Sequence, residues 1–147
     1  MKGQTQCVCV NLRRATRALT QAYDAALAAT GIKVTQFSLL RAIQRNEPAA
    51  ITALADDLDL DRTTLARNLL PLQRDRLVTL ADGADQRVTE VRLTTKGRKA
   101  VAAALPLWQQ IQDDVARKLG RNRIEQLREI AAALEVSAPA PTSARRR

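Results

Sequence analysis

Apolar residues recur along most of this chain at steps of three and four, the spacing that lines up one face of an α-helix. The first stripe is Val8, Leu12, Ala15, Leu19, Ala22 and Ala26, about five turns long, with Arg13, Arg14, Arg17 and Asp24 mostly off it. After Gly31, TQFSLLRAIQ repeats the pattern with Phe37, Leu40 and Ile43, and Thr35 is its expected N-cap. Asn46 and Pro48 break that helix. A short helix follows in ITALADDL, with Thr52 as cap and Leu54, Ala55 and Leu58 inward. The next, DRTTLARNLLPLQRDRLV, is capped by Asp61, runs to about residue 75 and buries Leu65, Leu69 and Leu72.

From Leu77 the period changes to two. LVTLADGADQRVTEVRL alternates, is rich in β-branched residues and holds Asp82-Gly83 where a hairpin must turn, so it predicts two strands. Beyond Thr94 the helical period returns with Val101, Leu105, Trp108, Ile111, Val115 and Leu119, and Pro106 is expected to kink that helix about one turn earlier. Gly120 should end it. Asn122 and Glu125 form a capping-box-like start for a last helix striped by Ile124, Leu127, Ile130 and Leu134. The Pro, Ala, Ser and Arg tail from 136 to 147 has no apolar anchors and is expected to be disordered.

Two short helices, joined by about three residues and followed by a hairpin, have the layout of a winged helix-turn-helix. Small Ala55 suits the crossing point. The second helix then directs Arg62, Thr63, Thr64, Arg67 and Asn68 outward near its N-terminal half. Arginine bonds guanine bidentately, asparagine does so with adenine, and threonine offers a methyl to thymine or a hydroxyl to phosphate. An ordinary solvated helix face is the competing reading. Arg87, just past the expected turn, suits insertion into a minor groove, with Asp85 two residues earlier able to hold its guanidinium. The fold expected is therefore mainly α with a small β-hairpin wing, a winged helix-turn-helix plus a helical dimerisation region.

Charge agrees with a polyanionic partner. The 147 residues carry 24 Lys and Arg against 15 Asp and Glu, a net +9. Histidine is absent, which removes the commonest general acid/base and most zinc sites. With no cofactor loop either, no catalysis, cofactor or metal is expected. No apolar run approaches membrane-spanning length and the N-terminus has no signal-peptide pattern, so no membrane partner and a cytoplasmic location are expected. The rival class, a helical protein binding nucleic acid without sequence preference, lacks the aromatic platforms that single strands require.

Together ITALADDLDLDRTTLARNLLPLQRDRLV, Asp85-Gln86-Arg87 and Leu93-Thr94-Thr95-Lys96-Gly97 resemble the MarR family of bacterial winged-helix regulators. The resemblance covers residues 7 to 135. It implies a homodimer built from a first helix within residues 1–30 and terminal helices within 96–135, and a DNA-binding region at 31–95. It implies too that the recognition helices bind successive major grooves of a pseudo-palindromic duplex, through Thr63, Thr64, Arg67 and Asn68, while Arg87 takes the minor groove. Arg74 and Arg76 are weaker phosphate candidates. Such regulators are commonly repressors that leave DNA when a small-molecule effector enters the cleft between the dimerisation and DNA-binding halves. The stripes of the terminal helices independently favour a dimer, since they exceed what a small winged domain covers.

Cys9 and Tyr23 are similar to the first helix of the organic-peroxide-sensing branch, in which a reactive cysteine is hydrogen-bonded to tyrosines. Arg13 and Val34 stand where that branch has its other tyrosines. Were both helical, Cys7 and Cys9 would point about 200° apart and share neither an ion nor a disulfide. Buried inert thiols, oxidant sensing and soft-metal binding are the three readings.

Overall fold

The computed structural model of the chain describes residues 6–83 and 88–137, which fall into two compact units, the first ending at Ile111 and the second beginning at Gln112. In the first unit α1 spans Val8–Leu27 and a short 3-10 turn leads to α2, Val34–Arg45. Strand β1, Ala49–Ala50, precedes α3, Ile51–Asp57, and α4, Arg62–Arg74; β2 is Val78–Asp82 and β3 Thr89–Leu93. Helix α5 runs unbroken through Pro106 from Thr95 to Leu119, and α6 occupies Arg121–Ser137.

The expected apolar stripes build the first unit's core. Phe37, Leu40 and Ile43 of α2, Leu54 of α3, Leu65, Leu69 and Leu72 of α4, Val91 of β3 and Val101 of α5 are all buried in one cluster. Phe37 and Trp108 add a tilted ring contact, with centroids 5.8 Å apart, a geometry that contributes about 0.5–1.5 kcal/mol beyond burial. Helix α1 joins this cluster mainly through Leu27; of its stripe Val8 and Ala15 are exposed, while Leu12, Leu19, Ala22 and Ala26 are half-buried within one chain.

Several local expectations change. Among the described residues the sheet has three strands, in antiparallel order β1-β3-β2, because the two alanines after Pro48 pair with Glu90 and Val91; two residues are too short a run to show a period. The hairpin does not turn at Asp82-Gly83. Asp82 pairs with Thr89, and the Gly83 N–H still donates to Val88 O at 2.7 Å, so the connection is 84–87, outside the described residues.

Helix α2 begins earlier than Thr35, with Lys33 as its N-cap: Gln36 Oε1 accepts from the Lys33 N–H at 2.9 Å and Asp24 Oδ1 from the Val34 N–H at 2.8 Å. A carboxylate ten residues upstream thus does what a local Thr was expected to do. Likewise α3 is capped at Ala50 instead of Thr52, since the backbone must leave β1 there. Helix α6 starts at Arg121, ahead of Asn122, directly from Gly120 at φ 80°, and continues to Ser137, past the expected start of the tail. The remaining tail lies outside the described residues.

The start of α5 is bound to the end of α4. Thr94 Oγ1 donates to Arg76 O at 2.7 Å and accepts the Gly97 N–H at 2.9 Å, while the Thr94 N–H donates to Leu77 O at 3.0 Å and Lys96 Nζ to Asp75 O at 2.8 Å. Gly97 is buried against Leu77, and a Cβ there would meet Leu77 O at 2.0 Å. This is the physical content of the Leu93–Gly97 motif.

Glu47 secures the other side of the sheet. It accepts two bonds from Arg98, at 2.7 and 2.8 Å, and one from the Leu93 N–H at 2.9 Å, and these hold its carboxyl below the usual glutamate range. A depressed carboxylate stabilises the fold above its unfolded pKa and loses that contribution as pH falls through the folded one. Glu47→Gln is therefore expected to flatten the acid limb of the melting-temperature curve below about pH 4.5. Arg98 is half exposed, so the effect is screened to about 1 kcal/mol. Parallel wild-type and variant curves would mean that the pair adds nothing.

Candidate nucleic-acid interface

Helix α3 ends with Leu60 N–H bonded to Ala55 O and Asp59 N–H to Asp56 O, a Schellman arrangement that puts Asp59 at φ 50°. Aspartate tolerates this left-handed conformation better than most side chains. Helix α4 ends in the same way, with Leu77 bonded to Leu72 O, Arg76 to Gln73 O, and Arg76 at φ 58°. Both helices of the pair therefore stop within one turn, and Ala55, buried between them, permits a close crossing.

The N-terminus of α4 is fixed by Asp61. Its carboxylate accepts the Thr64 hydroxyl at 2.6 Å and the Thr64 N–H at 2.9 Å, which hold it below the usual aspartate range. The negative charge also suits the helix N-terminus. From that fixed start, burial of Leu65, Leu69 and Leu72 directs the opposite line, Thr63, Arg67, Leu70 and Arg74, into solvent.

The predicted reading residues divide accordingly. Thr63 and Arg67 lie on the outward line and Arg62 is exposed beside it. Thr64 is half-buried with its hydroxyl given to Asp61. Asn68 is exposed on the flank, in the wall of a hollow of about 280 Å³ with Val34, Thr35, Ser38, Leu39, Leu58 and Leu60. Arg74 is exposed and paired with Asp75 at 3.3 Å, and Arg76 occupies the left-handed turn. Asp85 and Arg87 lie outside the described residues. Leu70, an apolar side chain off the 65/69/72 stripe, is exposed on the same outward line.

The cysteines depart from the inert, buried reading: both are exposed and neither is in a disulfide. Cys7 is the extended N-cap of α1 and Cys9 lies in its first turn, so the angle expected for two helical residues does not apply. Tyr23 is half-buried, which raises its pKa. Fourteen residues of one helix separate Cys9 from Tyr23 by roughly 21 Å, so no bond joins them within a chain.

Two crossed helices with a fixed outward face, followed by a small antiparallel sheet, define a winged helix-turn-helix protein. No protein-family profile and no curated protein matches the chain. Among solved structures it is similar to the transcriptional regulator MosR of M. tuberculosis in complex with DNA, with 39% identity over 91% of this chain and 100% of that one, at a TM-score of 0.81. The S. aureus MepR–DNA complex shares the fold at 20% identity, TM-score 0.74, over 89% and 96% of the two chains. So does the MarR family transcription regulator SP03579, at 19% identity, TM-score 0.67, over 84% and 82%. The chain belongs to the MarR family of transcriptional regulators. No helix among the described residues is long and apolar enough to cross a membrane.

Proposed function

We propose that this regulator binds a pseudo-palindromic operator as a homodimer, with one α4 in each of two successive major grooves and the 84–87 connection at the flanking minor groove. The observation that carries this reading is the outward line on α4, which presents Thr63 and Arg67 opposite the buried Leu65, Leu69 and Leu72. It stands in a chain 39% identical to a regulator solved with DNA. Arg62, Thr64, Asn68, Arg74 and Arg76 contribute base-edge, phosphate or positioning contacts, and Asp85 and Arg87 act at the wing. Residues 31–95 form the DNA-binding region.

The dimer is supported by apolar side chains that one chain leaves exposed: Val8 at 67% on α1, and Leu127, Ile130 and Leu134 at 44%, 47% and 51% on α6. Binding in successive major grooves requires the second copy to hold the two reading helices one duplex turn apart, roughly 34 Å. Footprinting the full-length protein on the DNA upstream of its own gene tests the reading. A protected inverted repeat is expected. Uniform protection would replace it with a coat that has no sequence preference.

Repression is relieved either by a small molecule or by thiol oxidation. The hollow beside Asn68 is walled mainly by aliphatic side chains and touches the reading helix, which favours an apolar effector. Exposure of Cys9 favours oxidation by a hydroperoxide, in which the thiol gains the peroxide's outer oxygen to become a sulfenic acid and an alcohol leaves. Cys9→Ser is expected to abolish hydroperoxide-driven release from the operator, measured by fluorescence anisotropy. Equal release from wild type and variant, or none from wild type, ends the oxidant reading and leaves the ligand.

A further inference from the structure

In the DNA-binding part of the described chain, Leu70 is the large hydrophobic side chain left exposed, at 62%; the others of its kind lie on α1 and α6. A single exposed leucine is ordinary, so exposure alone carries nothing. Its position does. Leu70 stands on the outward line of α4, about 4.5 Å along the axis beyond Arg67 and about 6 Å before Arg74. Arginines on both sides supply bonds to bases or phosphates, whereas an isobutyl group has none to give. The feature of a major-groove floor that an aliphatic tip recognises is the 5-methyl group of thymine.

We propose that Leu70 reads sequence by packing on a thymine methyl in the major groove, one to two base pairs from the position contacted by Arg67. The inference rests on the reading of α4 as the groove-binding helix and adds to it an apolar determinant. Burying a methyl group against the leucine is worth about fourfold in affinity.

The test uses full-length protein and duplexes of the footprinted operator in which each thymine of the half-sites is replaced, one at a time, by deoxyuridine, which lacks only that methyl. Wild type is expected to lose about fourfold at one thymine in each half-site. Leu70→Ala should bind the parent duplex about fourfold or more weakly and no longer distinguish thymine from deoxyuridine there, while Leu70→Met, which keeps an apolar tip, should retain the distinction. If wild type ignores every replacement, or if Leu70→Ala keeps the full difference, the inference is overturned while operator binding stands. If wild type binds unrelated duplexes as tightly as the operator, the reading of α4 itself fails, and this inference with it.

Discussion

Gly97→Ala is expected to cost about 3 kcal/mol of stability, the upper end of the range for overpacking a tight site, and to lower the melting temperature by roughly 10 °C. The added Cβ would meet the Leu77 carbonyl oxygen at 2.0 Å, and that atom is backbone, so no rotamer change relieves the clash. Relief requires α5 to retreat from the end of α4. That movement stretches the Thr94 bonds to Arg76 O and Leu77 O and the Lys96 bond to Asp75 O. Gly31→Ala is the control. There is open space around Gly31, but its φ is 74°, and a left-handed alanine costs only about 1–2 kcal/mol. Thermal unfolding of the two variants side by side measures the difference. Equal melting temperatures would show that α5 does not lie against Leu77 as described.

Arg67→Ala is expected to weaken operator binding by about 1–3 kcal/mol and to relax base preference at one position in each half-site. Arg67 stands on the outward line one turn beyond Thr63, and the cap from Asp61 to Thr64 fixes the helix start from which it projects. A phosphate contact would instead weaken all duplexes alike and reduce the salt dependence by about one ion. Binding to the operator and to its single-base variants at two salt concentrations separates the outcomes. Uniform loss without loss of discrimination would remove Arg67 from base reading and leave it on the backbone.

How much of this was legible in the chain varies by element. The core faces of α2, α3 and α4 followed from apolar spacing, because a helix that buries one stripe repeats at 3.6 residues wherever it packs. Asp61 as the cap of α4 was equally readable, since its partner Thr64 is three residues away. The cap of α2 was not. Asp24 reaches Val34 from another helix, and no local rule ranks that carboxylate above Thr35. Strand β1 is not legible for a similar reason: two alanines become a strand only because β3 offers its edge.

The outward face of α4 was assigned by its polar residues, and three-dimensional packing redistributed them. Thr64 is spent on the cap, Asn68 belongs to a flanking hollow, and Leu70 joins Thr63 and Arg67 on the outward line. The order of the helices and of the two hairpin strands, their periods and the winged layout are properties of residues near one another in the chain, so the sequence by itself determined them. Which side chains remain free for a partner was decided only by tertiary structure, because a hydroxyl, a carboxylate or a face is available only after contacts distant in the chain have taken theirs.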